Sequence, residues 1–468
     1  MSLGLGFSGG GGSLTNAQSN KVKSLSNNFR GIYKPSGSNV HVTGSYGASS
    51  VMMKVEAEAP FSRVRVWILH RGAYGQGGWK VAVAATDKYA VDTVSNAFYP
   101  QKGGTVNNAA QTTSDESGWV PAKWGGAGDE IAGGGSYGLY SGSVPRGEDT
   151  SGKLYPSYDF DQSWQQSGVN NANVGIVCSS WMDCKSVTPS PVQPSGIARP
   201  FLLLKFYRVT GSFPIEGASA YPVTAATAQT VYDDWLTGTN LTRRLRYVRA
   251  YTGGDGISDY TKVPAAAGAP NGSVIEDYPY IAIEYEYDVP ARSFIASGDS
   301  NLEGSAGLGF QQAVKELSTP SKPLEFANFG MSSCRSIQYF AMLDSVLSEG
   351  MSFTDLIIGS HSTNDFVRTT FEANKNKLQI LRVLNDADKL GITVWIYTHW
   401  SGIHGADDPE VVAYLTWIRG LCSNGRAKLI DVAANWLDSY SSDGGTHANA
   451  TGIAYCKDLF KAALASNL

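Results

Sequence analysis

Charge is scarce in this 468-residue sequence: Asp, Glu, Lys and Arg together make up 17%, and the formal net charge is −4. Nothing in that balance attracts phosphate, so a nucleic-acid partner is not expected. Cysteine is scarcer still, with five residues, which excludes the disulfide framework of a small secreted domain. Cys178 and Cys184 flank a short loop-like stretch and are read either as a pair or as free thiols. Cys334, Cys422 and Cys456 fall in predicted helices, where a thiol packs as a small apolar group. No run of about 20 apolar residues is present, so membrane insertion is not expected. The opening MSLGLGFSGGGGS has neither a charged region nor an apolar core, which argues against a secretory signal. The expectation is synthesis in the cytoplasm, with release by another route, such as on a particle freed by lysis.

What is present is apolar and aromatic. Hydrophobic residues make up 42% and aromatics 11%, with 53 glycines. Such a chain buries a real core and is long enough for two or three domains. Residues 1–28 are read as a Gly/Ser-rich arm, flexible or ordered by a particle or oligomer partner. Residues 29–290 carry short alternating apolar–polar runs at 51–59, 63–70, 80–85, 201–209, 244–251 and 280–289. That pattern predicts half-buried antiparallel strands in a β-sandwich, jelly-roll-like domain. A short helix at 225–236 is possible, and 96–200 is read as long loops or an elaborated insertion.

From 291 onward strands alternate with helices. Predicted strands at 293–296, 324–329, 355–358, 393–397 and 428–432 are separated by amphipathic segments. Phe310, Ala313, Val314 and Leu317 share one face, as do Ile337, Phe340, Leu343 and Leu347. A longer helix carries Phe371, Leu378, Leu381 and Leu384 and stops at Gly391, a good left-handed cap. Asp408-Pro409 opens the next helix, and Ile453, Cys456 and Phe460 lie on the last. The alternation predicts a parallel sheet covered by helices on both faces.

In such sheets reactive groups gather beyond the carboxyl ends of the strands. The first predicted strand is followed by Gly298-Asp299-Ser300-Asn301, the second by Asn328-Phe329-Gly330. The third is followed by Gly359-Ser360-His361-Ser362-Thr363-Asn364-Asp365, and Asp443-Gly444-Gly445-Thr446-His447 precedes the last helix. A serine at a strand-to-helix turn meets a favourable field for developing negative charge. It becomes a useful nucleophile only when a base takes its proton.

These four segments resemble blocks I, II, III and V of the SGNH/GDSL hydrolase family, in the family's order. A lone Gly-Asp-Ser is weak, and Gly238-Thr239-Asn240 mimics part of block III in the wrong context; four ordered matches are specific. The resemblance covers 291–468 and implies a flavodoxin-like α/β/α hydrolase working through an acyl-serine intermediate, with no cofactor and no metal. It implies Ser300 as nucleophile, His447 as general base and Asp443 as the acid orienting the imidazole. The implied oxyanion hole is the backbone N–H of Ser300, the backbone N–H of Gly330 and the side-chain amide of Asn364.

Two departures matter. Asp443 lies four residues before His447 where the family has three, so either a glycine is looped out or the enzyme is a Ser-His dyad. Ser362 stands where block III has glycine two residues before its asparagine.

His361, His399 and Trp400 are read as substrate contacts, with structural hydrogen bonds the alternative for the histidines. A metal held by His399, His404 and Asp407 lacks a recognised spacing. Trp67 is read as core, whereas Trp119, Trp124, Trp164 and Trp181, in Gly/Ser-rich segments, are candidates for a glycan-stacking platform. The expected reaction is removal of O-acetyl groups from a polysaccharide. The competing readings are a glycan-binding (receptor-binding) module with a weak or vestigial hydrolase, and a short-chain lipid esterase or thioesterase. The Gly-rich start also looks like that of some phage tail-associated proteins.

Overall fold

The structure, a computed structural model, describes residues 22–27, 48–71, 79–86, 120–123, 130–131, 174–187, 200–208, 245–252, 280–303, 305–330, 335–336, 339–340, 343, 346–347, 351–368, 371–400, 408–442 and 445–468. Up to residue 290 these contain β1 (Val22–Asn27), β2 (Ala48–Glu56), β3 (Phe61–Arg71), β4 (Trp79–Thr86), β5 (Val120–Pro121), β6 (Glu130–Ile131), β7 (Val174–Cys178), β8 (Met182–Asp183), β9 (Phe201–Arg208), β10 (Leu245–Thr252) and β11 (Tyr280–Tyr287). They form two antiparallel sheets. One runs β1-β11-β3-β7 with β8 also on β3, the other β10-β2-β9-β4-β5 with β6 also on β4.

Alternation is the reason these segments are strands. On one face of the β3–β11 pair, Val64 sits opposite Tyr285 and Val66 opposite Ile283, all fully buried. On the other face Arg65 opposes Glu284 and Arg63 opposes Glu286; both pairs close ion pairs across the ladder, the sheet counterpart of helical charge pairing. Two sequence expectations change here. Residues 22–27, assigned to the arm, form a strand paired with β11. Val174–Cys178, inside the stretch read as loops, pairs with β3, because Val-Gly-Ile-Val-Cys is short but apolar enough to join a ladder. The helix proposed at 225–236 and Gly238-Thr239-Asn240 lie outside the described residues.

The C-terminal half has five parallel strands: β12 (Arg292–Ser297), β13 (Leu324–Asn328), β14 (Asp355–Gly359), β15 (Thr393–Tyr397) and β16 (Lys428–Ile430). Their order is β13-β12-β14-β15-β16, which is the flavodoxin-like 2-1-3-4-5 arrangement. Side chains alternate between its two faces. Ile295, Ala327, Leu356, Ile358, Val394 and Ile396 enter one core layer. Phe294, Ala296, Phe326, Ile357, Trp395 and Tyr397 enter the other. Near-continuous burial along β13 and β14 is what a sheet covered on both sides requires.

The helices are α1 (Ser300–Glu303), α2 (Ser305–Leu308), α3 (Phe310–Leu317), α4 (Asn364–Arg368), α5 (Ala373–Leu390), α6 (Pro409–Ser423) and α7 (Ala450–Ala465). α5 ends at Gly391 with φ 69°, and Asp408 caps α6 by accepting from Glu410 N. One expectation fails on α5: Leu378 is 67% and Leu381 37% exposed. The buried stripe is Ala373, Asn376, Gln379, Ile380, Val383, Leu384 and Ala387.

The halves share a core. Trp67 and Ala282, which oppose each other on β3 and β11, pack in the same cluster as Ile295, Phe329 and Tyr339. Cys178 and Cys184 are not joined to each other, and burial pushes the Cys184 thiol up to about 12. Among the described residues no helix is long and apolar enough to cross a membrane.

Candidate functional site

In a 2-1-3-4-5 sheet the chain leaves the first strand toward one edge and returns on the other side. The crevice opens at that switch, beyond the carboxyl ends of strands one and three. Here those strands are β12 and β14, and the segments following them carry Ser300 and Asn364.

Glycine is required immediately before the turn. A side chain on Gly298 would be driven onto the Tyr397 hydroxyl, and Gly359, at the end of β14, faces the same hydroxyl. The chain then enters α1 at Ser300. Asp299, 1% exposed, caps the turn by accepting from Asn301 N at 3.0 Å. Its other oxygen accepts from Ser362 Oγ at 3.0 Å, Thr363 N at 2.9 Å and Thr363 Oγ1 at 2.9 Å. A buried carboxylate needs such donors, and in taking them Asp299 fixes the loop after β14 against the Ser300 turn.

The departure at Ser362 has a structural use. Its hydroxyl donates to Asp299 and accepts from Asn364 N at 3.0 Å and Asn364 Nδ2 at 3.3 Å. Asp365 anchors the loop from below, accepting from Ser362 N at 3.0 Å and Ser336 N at 3.0 Å. Burial raises its carboxyl above the usual range, against the lowering effect of these hydrogen bonds and of Arg335.

His447 begins β18 (His447–Ala448), which pairs with β17 (Ser441–Ser442), Ser442 opposite His447. The hairpin turn passes through Gly445 at φ 103°, a conformation that favours glycine. Ser300 Oγ lies 3.0 Å from His447 Nε2. Of the residues singled out from sequence, these two meet at hydrogen-bond distance although 147 positions separate them. Asp443 lies outside the described residues.

Gly330 N–H donates to Asn328 Oδ1 at 2.9 Å, and Asn328 Nδ2 donates to Leu302 O at 2.8 Å. One N–H of the Asn364 amide rests on Ser362. An anion at Ser300 that drew on Gly330 would therefore displace Asn328.

His361, His399 and Trp400 are 1%, 0% and 3% exposed, so the structure places all three beneath the site and not on a substrate-facing surface. His361 Nδ1 meets Ser360 Oγ at 2.9 Å, and His399 Nδ1 meets Trp400 O at 2.7 Å. Burial, then the neighbouring His399, holds His361 well below the usual histidine range. Trp400 stacks on Trp436 with centroids 3.8 Å apart and donates to Gly445 O at 2.9 Å. His404 and Asp407 lie outside the described residues, among which no cluster of metal-ligand type occurs.

Sequence reasoning missed Asn301, which touches both sides of the His447 turn; its place directly after the serine was the available signal. Trp119, Trp124 and Trp164 lie outside the described residues. Trp181 is half-buried, with the Arg63 and Arg65 guanidinium groups 5.3 and 4.9 Å from its ring centre.

No family model matches the chain, and no curated protein does. About a third of it is similar in structure to solved hydrolases. An acetylxylan esterase from Geobacillus stearothermophilus is 14% identical over 36% of this chain and 93% of its own, with a TM-score of 0.31. A member of the lipolytic protein G-D-S-L family from Veillonella parvula is 16% identical over 36% of this chain and 96% of its own, at 0.31. The protein TesA is 15% identical over 38% and 100%, at 0.32.

Proposed function

We propose that the chain is a serine esterase in which Ser300 attacks an ester carbonyl and His447 takes its proton. The supporting observation is the 3.0 Å contact between Ser300 Oγ and His447 Nε2 at the switch point of the parallel sheet. A hydroxyl beside an imidazole gains nucleophilicity as the proton leaves, and the same imidazolium then protonates the departing alkoxide. An acyl-serine forms, and water attacks it by the same route in reverse. In this reading Asp443 orients the imidazole, and the amides of Ser300, Gly330 and Asn364 receive the oxyanion, Gly330 after release from Asn328.

For the substrate we propose O-acetyl groups of a polysaccharide. The half-buried groups on the segments that carry the site, Asn364, Thr446 and His447, are polar. They suit a small acyl group on a hydroxylated leaving group better than a long acyl chain. The β-rich half, proposed as a sandwich, would hold the polymer, and attachment to a particle through the residues before β1 belongs to the same proposal.

The test is hydrolysis of p-nitrophenyl acetate and p-nitrophenyl octanoate by wild type, Ser300→Ala and His447→Ala, with acetate release from an acetylated polysaccharide alongside. Each substitution is expected to lower kcat by about 10⁴-fold or more, with acetate strongly preferred to octanoate. Full activity in Ser300→Ala would sink the mechanism, and octanoate preference would sink the substrate.

A further inference from the structure

Asn301 has no part in the reaction just described, yet its amide is almost fully used. One N–H donates to Thr446 O at 2.9 Å, and Oδ1 accepts from Ala448 N at 3.2 Å. Those are the backbone groups on either side of His447, so one side chain grips the imidazole's own segment from both flanks. The second N–H faces His399 Nε2 at 3.3 Å.

The histidine contact fixes which way the amide lies. His399 Nδ1 sits 2.7 Å from Trp400 O, and a carbonyl only accepts, so Nδ1 carries the proton. Nε2 then offers a lone pair to the Asn301 N–H, with Asp299 Oδ2 3.7 Å from the same nitrogen. With the Asn301 amide reversed, Oδ1 would meet the Thr446 carbonyl and that lone pair, and NH₂ would meet the Ala448 N–H. Three contacts would turn repulsive together. Burial holds the arrangement in place: Asn301 is 3% and His399 0% exposed.

We propose that Asn301, oriented by His399, is a positioning residue that sets the height and angle of the His447 imidazole over Ser300. The inference rests on the Ser300–His447 pair as the working pair, while the grip itself exists independently of catalysis. A displacement of about 1 Å at a reacting group costs on the order of 10²-fold in rate. The hairpin bearing His447 is two residues long on each strand and cannot by itself hold the imidazole that closely.

The experiment uses the full chain and two readouts, p-nitrophenyl acetate kinetics and hydrogen exchange at the Ala448 amide. Asn301→Leu is expected to lower kcat about 10²-fold with KM within about threefold. Ala448 exchange should rise about 10-fold or more as its acceptor is lost. His399→Leu removes the orienting lone pair and is expected to cost about 10-fold in kcat. His399→Gln restores an acceptor carbonyl and recovers most of that loss, which a purely structural role for the ring would not produce. The double variant Asn301→Leu/His399→Leu should be no slower than Asn301→Leu alone, because both act through one grip.

Unchanged kcat and unchanged Ala448 exchange in Asn301→Leu would overturn the proposal. So would additive losses in the double variant. If Asn301→Leu does not fold, the His399→Leu and His399→Gln pair decides it with Asn301 in place. If wild type hydrolyses no ester, the esterase reading fails; Ala448 exchange then decides whether Asn301 grips the turn.

Discussion

At the scale of single residues, the glycine of Gly298-Asp299-Ser300 is fixed by packing. The Tyr397 hydroxyl occupies the space a Cβ at Gly298 would need, and Tyr397 is fully buried in the core, so neither group yields easily. Gly298→Ala is therefore expected to destabilise the fold by about 1–3 kcal/mol, the usual cost of overpacking, and to lower kcat by displacing the adjacent Ser300. Tyr397→Phe in the same chain should restore much of both. Thermal denaturation and ester kinetics on the two single variants and the double check this; a double variant as impaired as the sum of the singles would refute it. Of this, the sequence disclosed the residue types at the site but not what holds them. Ser300 and Asn364 announce themselves by following predicted strands, and His447 by preceding the last helix. Asn301, Asn328 and Tyr397 act through partners up to 147 residues away, and one unaligned sequence, though it sets Asn301 beside the serine, does not show those partners.

At the scale of elements, regular alternation was legible and buried polarity was not. The five parallel strands fall where apolar runs alternate with helical segments, and β2, β3, β4, β9, β10 and β11 where period-two patterns place them. The error on α5 has a definite cause: the face was counted from Phe371, which lies before the helix starts at Ala373. Its true inner stripe begins with Ala373 and includes Asn376, whose Nδ2 reaches Asp365 Oδ2 at 3.5 Å. A polar residue in a core stripe erases the apolar period that reveals it. The layer that α4 and α6 lay over the end of β14 also buries His361, edge-on to Phe366, Phe371 and Tyr414. With its folded pKa depressed by burial and by His399, the unfolded chain binds the extra proton. Stability is then fully present above the unfolded value near 6.5 and is lost as pH falls below it. The slope is up to about 1.4 kcal/mol per pH unit for this one group. Urea denaturation of wild type and His361→Gln between pH 5 and pH 8 measures it, and the variant should show a shallower acid-side loss. Parallel curves would show that other groups set the acid limb.

At the scale of the whole molecule, the two halves are joined by a buried polar junction as well as by the Trp67 contact. Glu58, between β2 and β3, is 1% exposed. Its carboxylate accepts from Lys315 Nζ at 3.2 Å and Ser318 Oγ at 2.7 Å, both on or just past α3. Its backbone N–H donates to Tyr287 Oη at 3.0 Å and Glu325 Oε1 at 3.2 Å, and the Tyr287 hydroxyl donates to Glu325. Burial and the nearby Glu325 push the Tyr287 phenol well above its usual range, so it remains a donor throughout the physiological range. Such a junction is legible only in three dimensions, because the sequence places its members in a loop, a strand end and a helix. Removing one partner of a buried ion pair strands the other, at about 3–5 kcal/mol, whereas replacing both with apolar groups is often neutral. Glu58→Ala should therefore destabilise the chain by about that amount, and Glu58→Met/Lys315→Met by much less. Tryptophan fluorescence during urea unfolding should give one transition for wild type and two for Glu58→Ala, as the β-rich half separates from the parallel sheet before either melts. A single transition in Glu58→Ala at unchanged midpoint would mean that the Trp67 packing alone binds the halves together.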